Sequence, residues 1–407
     1  MVVVGQHKSQ KNKDMNKQEL LQYTNAEFQK QFSSNPEKCI LSPGRINLIG
    51  EHIDYNDGYV LPAAIDKYIC FSVKPNDSQL IKVYASDLKE YFEINLSEKI
   101  KISERLWENY FLGVVDRALA ENKGSKGLDI VFSSNLPIGA GLSSSAALTC
   151  GFATILNHYF DLNWDKKTIA LTGQWTEHHY VGVMCGIMDQ FASVFGQENK
   201  AILLDCNSTE MKLYPTDFQE CTLVLFDSCV KHSLVASEYN QRRKEVNEGV
   251  EVIKTKYPQF DNFRNLTLEM IDEVKAELSE KQYLRLLFIV KEIARILKAV
   301  QSLEQNNFAE FGALVTQTHF GLSKEYEVSC PELDFLVDQT LQENGVLGSR
   351  MMGGGFGGCT ITLVHQNHLT DLTEKIKTAY QKEFNIALKV YPVHVSQGTQ
   401  MLDYAAI

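Results

Sequence analysis

The chain has 407 residues, 44% of them apolar and 22% charged, and 40 basic against 51 acidic residues leave a net charge of −11. A chain of this length can bury a large core in two or three domains, and its composition excludes disordered, collagen-like and low-complexity classes. The acidic balance leaves no cationic surplus for a nucleic-acid backbone or an anionic membrane, although a few backbone amides and one metal can hold a nucleotide.

Residues 1–22 read as a flexible N-terminal tail. Their apolar start precedes the lysines Lys8, Lys11, Lys13 and Lys17, the reverse of a secretory signal. A weak helical pattern covers residues 18–32. Strand-like runs follow at 59–61, 68–73 and 81–84, rich in β-branched and aromatic residues between turn signals. Residues 106–120 have a helical stripe, and Leu128, Ile130 and Phe132 alternate as in a strand. After the glycines Gly139 and Gly141, a second helical stripe runs through Ala146, Thr149, Phe152, Leu156 and Tyr159. Strands at 201–204 and 222–226 flank a domain boundary near Asn207. An amphipathic helix covers 284–303, and a glycine-rich loop, 348–358, leads into a strand at 360–364. Strands and helices do not alternate regularly, so the fold class is α+β with antiparallel sheet, in two domains, 23–206 and 207–407. The longest apolar runs fall far below the roughly 18 residues that cross a bilayer. Nine cysteines, an odd number with no C-x-x-C pair, read as reduced thiols of a cytoplasmic protein.

Four stretches carry chemistry. In Leu136–Leu148 a strand ends, glycines turn the chain and a helix opens among Ser143, Ser144 and Ser145. Exposed helix-start amides bind phosphate and serine hydroxyls can ligate Mg²⁺; the bland alternative is an ordinary N-cap cluster. The stretch Ser42–Gly58 packs Arg45, Glu51, His52 and Asp54 into turn-like chain among Ile46, Leu48, Ile49 and Ile53. Carboxylates there can accept sugar hydroxyls and an arginine can meet phosphoryl charge; the alternative is a solvated loop. Asp189 is a lone acid among Met184, Ile187, Met188 and Phe191, which marks either site chemistry or a helix N-cap. Glu177 lies twelve residues upstream, near enough to share a cleft. The last stretch, Gly353–Gly358, formally satisfies G-x-G-x-x-G but leads into a strand, which excludes a dinucleotide site.

Together these stretches resemble the galactokinases of the GHMP small-molecule kinase superfamily. The resemblance extends through Trp107, Glu177-His178, Cys185–Gln190, residues 231–234 and 237–239, and Tyr326–Asp334. It implies a two-domain architecture, the N-terminal domain like the second domain of ribosomal protein S5 and the C-terminal one ferredoxin-like. It also implies transfer of the ATP γ-phosphoryl to the anomeric hydroxyl of D-galactose, the first committed step of galactose catabolism, by a monomeric, Mg²⁺-dependent enzyme. By motif position Asp189 and Arg45 would be catalytic, and Glu51, His52, Asp54, Gly186 and Tyr239 would hold the sugar. Gly139, Ala140, Gly141, Leu142, Ser143, Ser144, Ser145 and Trp107 would bind ATP, with Ser145 and Glu177 on the metal. Other readings are a related kinase for N-acetylgalactosamine or L-arabinose and a non-catalytic galactose sensor. The intact serine loop and Asp189 speak against the sensor.

Overall fold

The computed structural model describes residues 15–121, 124–137, 139–231 and 235–406, so most of the expected tail, residues 1–14, and part of the stretch 231–234 lie outside the described residues. Helix α1 (Lys17–Phe32) opens with a capping box between Asn16 and Glu19. It buries Leu20 and Leu21 against Cys39, Leu41, Tyr68 and Cys70. The tail read up to residue 22 is therefore corrected: apolar burial orders the chain from Lys17 onward.

The first sheet is built from β1 (Lys38–Asn47), β3 (Pro62–Asn76), β4 (Leu80–Ala85), β5 (Glu90–Asn95), β6 (Gly127–Ser134) and β13 (Gln400–Asp403). Its order is β13-β1-β3-β6-β4-β5, and all its pairings are antiparallel except β4 with β6. A second sheet, in the order β10-β11-β9-β12, joins β10 (Val346–Met351), β11 (Gly357–His365), β9 (Cys221–Lys231) and β12 (Lys389–Val393). A small third sheet holds β2 (Tyr59–Val60), β7 (Lys200–Asp205) and β8 (Met211–Pro215). The last strand of the chain pairs with β1, Cys39 opposite Leu402, so the first sheet is closed by residues far beyond Asn207.

Helices α2 (Leu106–Leu119), α3 (Ser144–Tyr159), α4 (Lys166–Thr176) and α5 (Met188–Phe195) pack together, α3 and α5 lying against β1 and β3. In the second half, α6 (Val235–Lys256), the short α7 (Leu268–Glu273) and α8 (Glu280–Glu304) lead to α9 (Phe308–Lys324), α10 (Pro331–Leu341) and α11 (Leu369–Phe384). Helices α9 and α10 contact β10. One buried apolar cluster runs continuously through both halves.

Two expected loops are strands. The stretch from Ser42 to Asn47 continues β1 past Pro43 and Gly44, with a register shift between Pro43 and Arg45. Proline lacks the N–H a ladder needs, and a bulge accommodates it. The Arg45 amide bonds instead to Leu142 O at 3.2 Å. A Cβ on Gly44 would lie 2.6 Å from that same oxygen, so the glycine lets the serine loop reach the strand. Likewise Gly348–Met351 belongs to β10, paired with β11 through Met351 and Thr360. Burial of Ser349, Arg350 and Met351 under α9 and α10 outweighs the glycine in this strand.

Candidate active site

The bulge in β1 presents Arg45 to the start of α5. Arg45 Nε donates to Asp189 Oδ1 at 2.7 Å, while Nη1 donates to Gly141 O. The other carboxylate oxygen of Asp189 accepts from the Ser143 hydroxyl. Asp189 lies in the first turn of α5, whose N-cap is Ile187, so it is no N-cap. Ser143, the N-cap of α3, has a left-handed φ of 55° and makes no capping bond with its side chain. Both bland alternatives fail because these polar groups are spent on one another. Arg45 is buried; the Asp189 side chain keeps 23% exposure, the face left open to a ligand.

Beyond β1 the chain turns sharply through Glu51, His52 and Asp54. Glu51 is buried and accepts from Asn47 Nδ2 at 3.0 Å, Gly353 N at 2.8 Å and both terminal nitrogens of Arg350 at 3.1 Å. Burial alone would raise its pKa; the charges of Arg350 and Arg45, with the Gly353 and Asn47 bonds, overcome this and hold it below the usual carboxylate range. His52 Nδ1 meets Tyr55 OH at 2.8 Å, and its ring lies 5.5 Å from Tyr239 and 5.1 Å from Tyr326. Burial pushes its pKa down to about 4, so the imidazole is neutral at physiological pH. Asp54 packs on Gly186, where a Cβ would come within 1.9 Å of its Oδ2. Burial, then the charges of Asp189 and Glu51, push Asp54 up to about 7.

On the other side of Asp189 lies the serine loop. Gly139 and Gly141 adopt φ of 79° and 74°, a turn open to glycine. Residues 139–141 approach the second glycine loop: a Cβ on Gly353 would lie 3.8 Å from Gly141 O, and one on Gly358 3.9 Å from Gly139 O. Beside them opens a largely apolar cleft lined by Trp107, Leu88, Phe132, Leu136, Ser144 and Ser145. Trp107 Nε1 donates to Glu90 at 2.8 Å, which fixes the indole in the wall. Glu177 is buried and accepts from Gln190 Nε2 at 2.8 Å, with the Ser145 hydroxyl as a second bonding partner. It opens a π-helical turn, Glu177–Val181, that prolongs α4, a distortion frequent at functional sites. Burial, then the Asp189 charge, push Glu177 up to about 7.

The structure thus brings Arg45, Gly141, Ser143 and Asp189 into direct contact, sets Asp54 against Gly186 and His52 against Tyr239, and puts Ser144, Ser145 and Trp107 on the wall of the apolar cleft. Sequence reasoning gave no site role to Arg350, Asn47, Tyr55 or Tyr326, which hold Glu51 and His52 in place. The signal for Arg350 was present: a lone charge in an apolar run, the same reasoning that marked Asp189.

Comparisons with known proteins agree with this arrangement. Residues 26–75 match the galactokinase galactose-binding signature, 109–197 the GHMP kinases N-terminal domain and 297–382 the GHMP kinases C-terminal domain. The galactokinase of Clostridium perfringens strain SM101 is 36% identical over 375 residues, covering 91% of this chain and 97% of that protein. That of Thermotoga maritima is 38% identical over 365 residues, covering 89% and 99%. The crystal structure of Lactococcus lactis galactokinase complexed with galactose superposes with a TM-score of 0.89 at 32% identity, covering 94% of this chain and all of that one. Methanococcus jannaschii mevalonate kinase, at a TM-score of 0.64 and 21% identity, shares the fold. By its near full-length identity to these relatives, and by a site built from the family's own signature, this chain belongs to the galactokinase family of GHMP kinases.

Proposed function

We infer that the chain transfers the γ-phosphoryl of ATP to the anomeric hydroxyl of α-D-galactose, giving galactose 1-phosphate and ADP. The observation that carries this reading is the pair of contacts on Asp189, one from the sugar-signature strand and one from the serine loop. Both contacts support reading Asp189 as the carboxylate between acceptor and donor.

Phosphoryl transfer asks a protein mainly for in-line positioning and neutralisation of charge. Asp189 accepts the hydrogen bond of the 1-hydroxyl and aims its oxygen at the γ-phosphorus. Arg45 orients that carboxylate and adds positive charge beside the transferring group. Glu51, His52, Asp54 and Tyr239 hold the remaining hydroxyls, with Gly186 leaving room for Asp54. The amides of residues 139–145 cradle the phosphates, and the adenine enters the cleft beside Trp107.

Among the described residues no three His, Cys, Asp or Glu side chains are grouped to hold a metal. Glu177 and Ser145 nonetheless fit Mg²⁺, a hard ion that takes one or two protein oxygens and completes its shell with water and phosphate. A carboxylate held near neutrality by burial and Asp189 is also a group that gains from a cation. Bound there, Mg²⁺ would neutralise phosphate charge. We take the enzyme to be a cytoplasmic monomer; the compartment is supported by nine free cysteines, which suit a reducing environment. No helix among the described residues is long and apolar enough to cross a membrane.

The test is a panel of sugars with ATP, following ADP release and locating the new phosphate by ³¹P NMR. Galactose 1-phosphate as the preferred product is expected. A higher kcat/KM for N-acetylgalactosamine or L-arabinose, or no ADP release at all, would overturn the reading.

A further inference from the structure

The hydrogen bonds on Glu51 are unevenly shared between its two oxygens. Arg350, on β10 and fully buried, uses all five of its N–H donors. Nε donates to Leu48 O at 3.0 Å, Nη1 to Met351 O at 2.6 Å and Glu51 Oε1 at 3.1 Å, and Nη2 to Asn47 O and to Glu51 Oε1 at 3.1 Å. With Gly353 N at 2.8 Å, Oε1 therefore accepts three N–H groups. Oε2 accepts one, from Asn47 Nδ2 at 3.0 Å. Asn47 is itself held, its Oδ1 accepting from Leu61 N at 3.2 Å. A carboxylate has about four lone-pair sites, so the remaining capacity lies on Oε2.

We propose that Arg350, together with Asn47, is a positioning residue for galactose selection: it saturates Oε1 of Glu51 and turns Oε2 to accept one hydroxyl of the sugar. The proposal rests on the reading of Glu51 as a sugar ligand. Arg350 touches no substrate and acts only through that carboxylate. Lysine cannot replace it, because an ammonium has three donors and no planar fork for this set of acceptors. Nor is the pair a mere tie between β10 and the sugar loop. The backbone carbonyls of Leu48 and Asn47 already provide that tie without involving a carboxylate.

The test compares wild type, Glu51→Gln and Arg350→Lys on galactose and on its singly deoxygenated analogues, one hydroxyl removed at a time. Removing either partner of one hydrogen bond makes removal of the other cost nothing further, the logic of a double-mutant cycle. Arg350→Lys is expected to raise the galactose KM about tenfold, with the ATP KM within about twofold of wild type. On the one analogue that lacks the hydroxyl met by Oε2, both variants are expected to match wild type; on the others both keep their full penalty. An equal loss for Arg350→Lys on every sugar, with Glu51→Gln still selective, would overturn the positioning role. An equal loss for Glu51→Gln on every sugar would overturn the sugar-ligand reading itself, and the proposal with it. Should Arg350→Lys fail to fold, Asn47→Ser removes the only side-chain donor on Oε2 among the described residues and must leave the same one-sugar signature. Its absence there would overturn the proposal equally.

Discussion

Arg45 and Asp189 come from segments 144 residues apart, yet the guanidinium Nε lies 2.7 Å from the carboxylate Oδ1. The pair spans the junction between the sugar-signature strand and the first turn of α5. A charge-assisted bond of this kind fixes the orientation of the carboxylate before substrate arrives. Asp189→Asn keeps the shape and removes the charge. It is expected to nearly abolish turnover while leaving the fold and ATP binding in place. A kcat within about threefold of wild type, about 0.65 kcal/mol in barrier, would remove Asp189 from the mechanism.

Asp54 is expected to set the preference for galactose over glucose, which differ only at the 4-hydroxyl. A polar group built to bond that hydroxyl is left without its partner by glucose, at roughly 1–3 kcal/mol. Asp54→Ala should raise the galactose KM steeply and shrink the galactose-over-glucose ratio of kcat/KM, with the ATP KM nearly unchanged. Kinetics on both sugars decide the matter, and an unchanged ratio would put selectivity elsewhere.

The same residue makes stability depend on pH. Burial and two neighbouring carboxylates raise Asp54 from 3.8 to about 7, so between those values the folded chain holds a proton that the unfolded chain releases. The stability from this group is therefore present at low pH and lost as pH rises through the window. Asp54→Asn does not titrate. Relative to wild type, the variant should gain stability steadily from about pH 4 to about pH 7 and level off above. Urea midpoints of the ligand-free proteins across that range provide the check; a constant difference would contradict the assignment.

Glu177 is also raised, from 4.5 to about 7, by burial and by Asp189. Near pH 6.5 a large share of it is protonated, and a divalent cation binding its oxygens must displace that proton. Binding of Mg²⁺ with nucleotide is expected to release protons, seen by calorimetry in buffers of different ionisation enthalpy. Glu177→Gln should lose this release and need more Mg²⁺ for half-maximal activity. Equal release from both proteins would mean the metal sits on other groups.

The amino-acid sequence by itself determined the local chemistry: the glycine turn before three serines, the lone Asp189 in apolar chain, the acidic cluster after Arg45, and, for the elements it indicated, most bounds to within a few residues. Helix α8 spans Glu280–Glu304 where periodicity indicated 284–303, because its capping box at Ser279 and Gln282 lies beyond the apolar stripe. These features are legible because propensity, periodicity and turn chemistry act over a few neighbouring residues. What only the tertiary structure decided were relations between distant segments. Pro43 and Gly44 look like a break, yet β3 on one flank and the serine loop on the other hold them in a bulged strand. Gly348 looks like loop, yet pairing with β11 and cover from α9 make it strand. Arg350 reaches Glu51 across 299 residues, and β13 returns to β1 from the far end of the chain. No local pattern encodes such partners, because a buried charge specifies only that it must be paired, and the fold decides with which group.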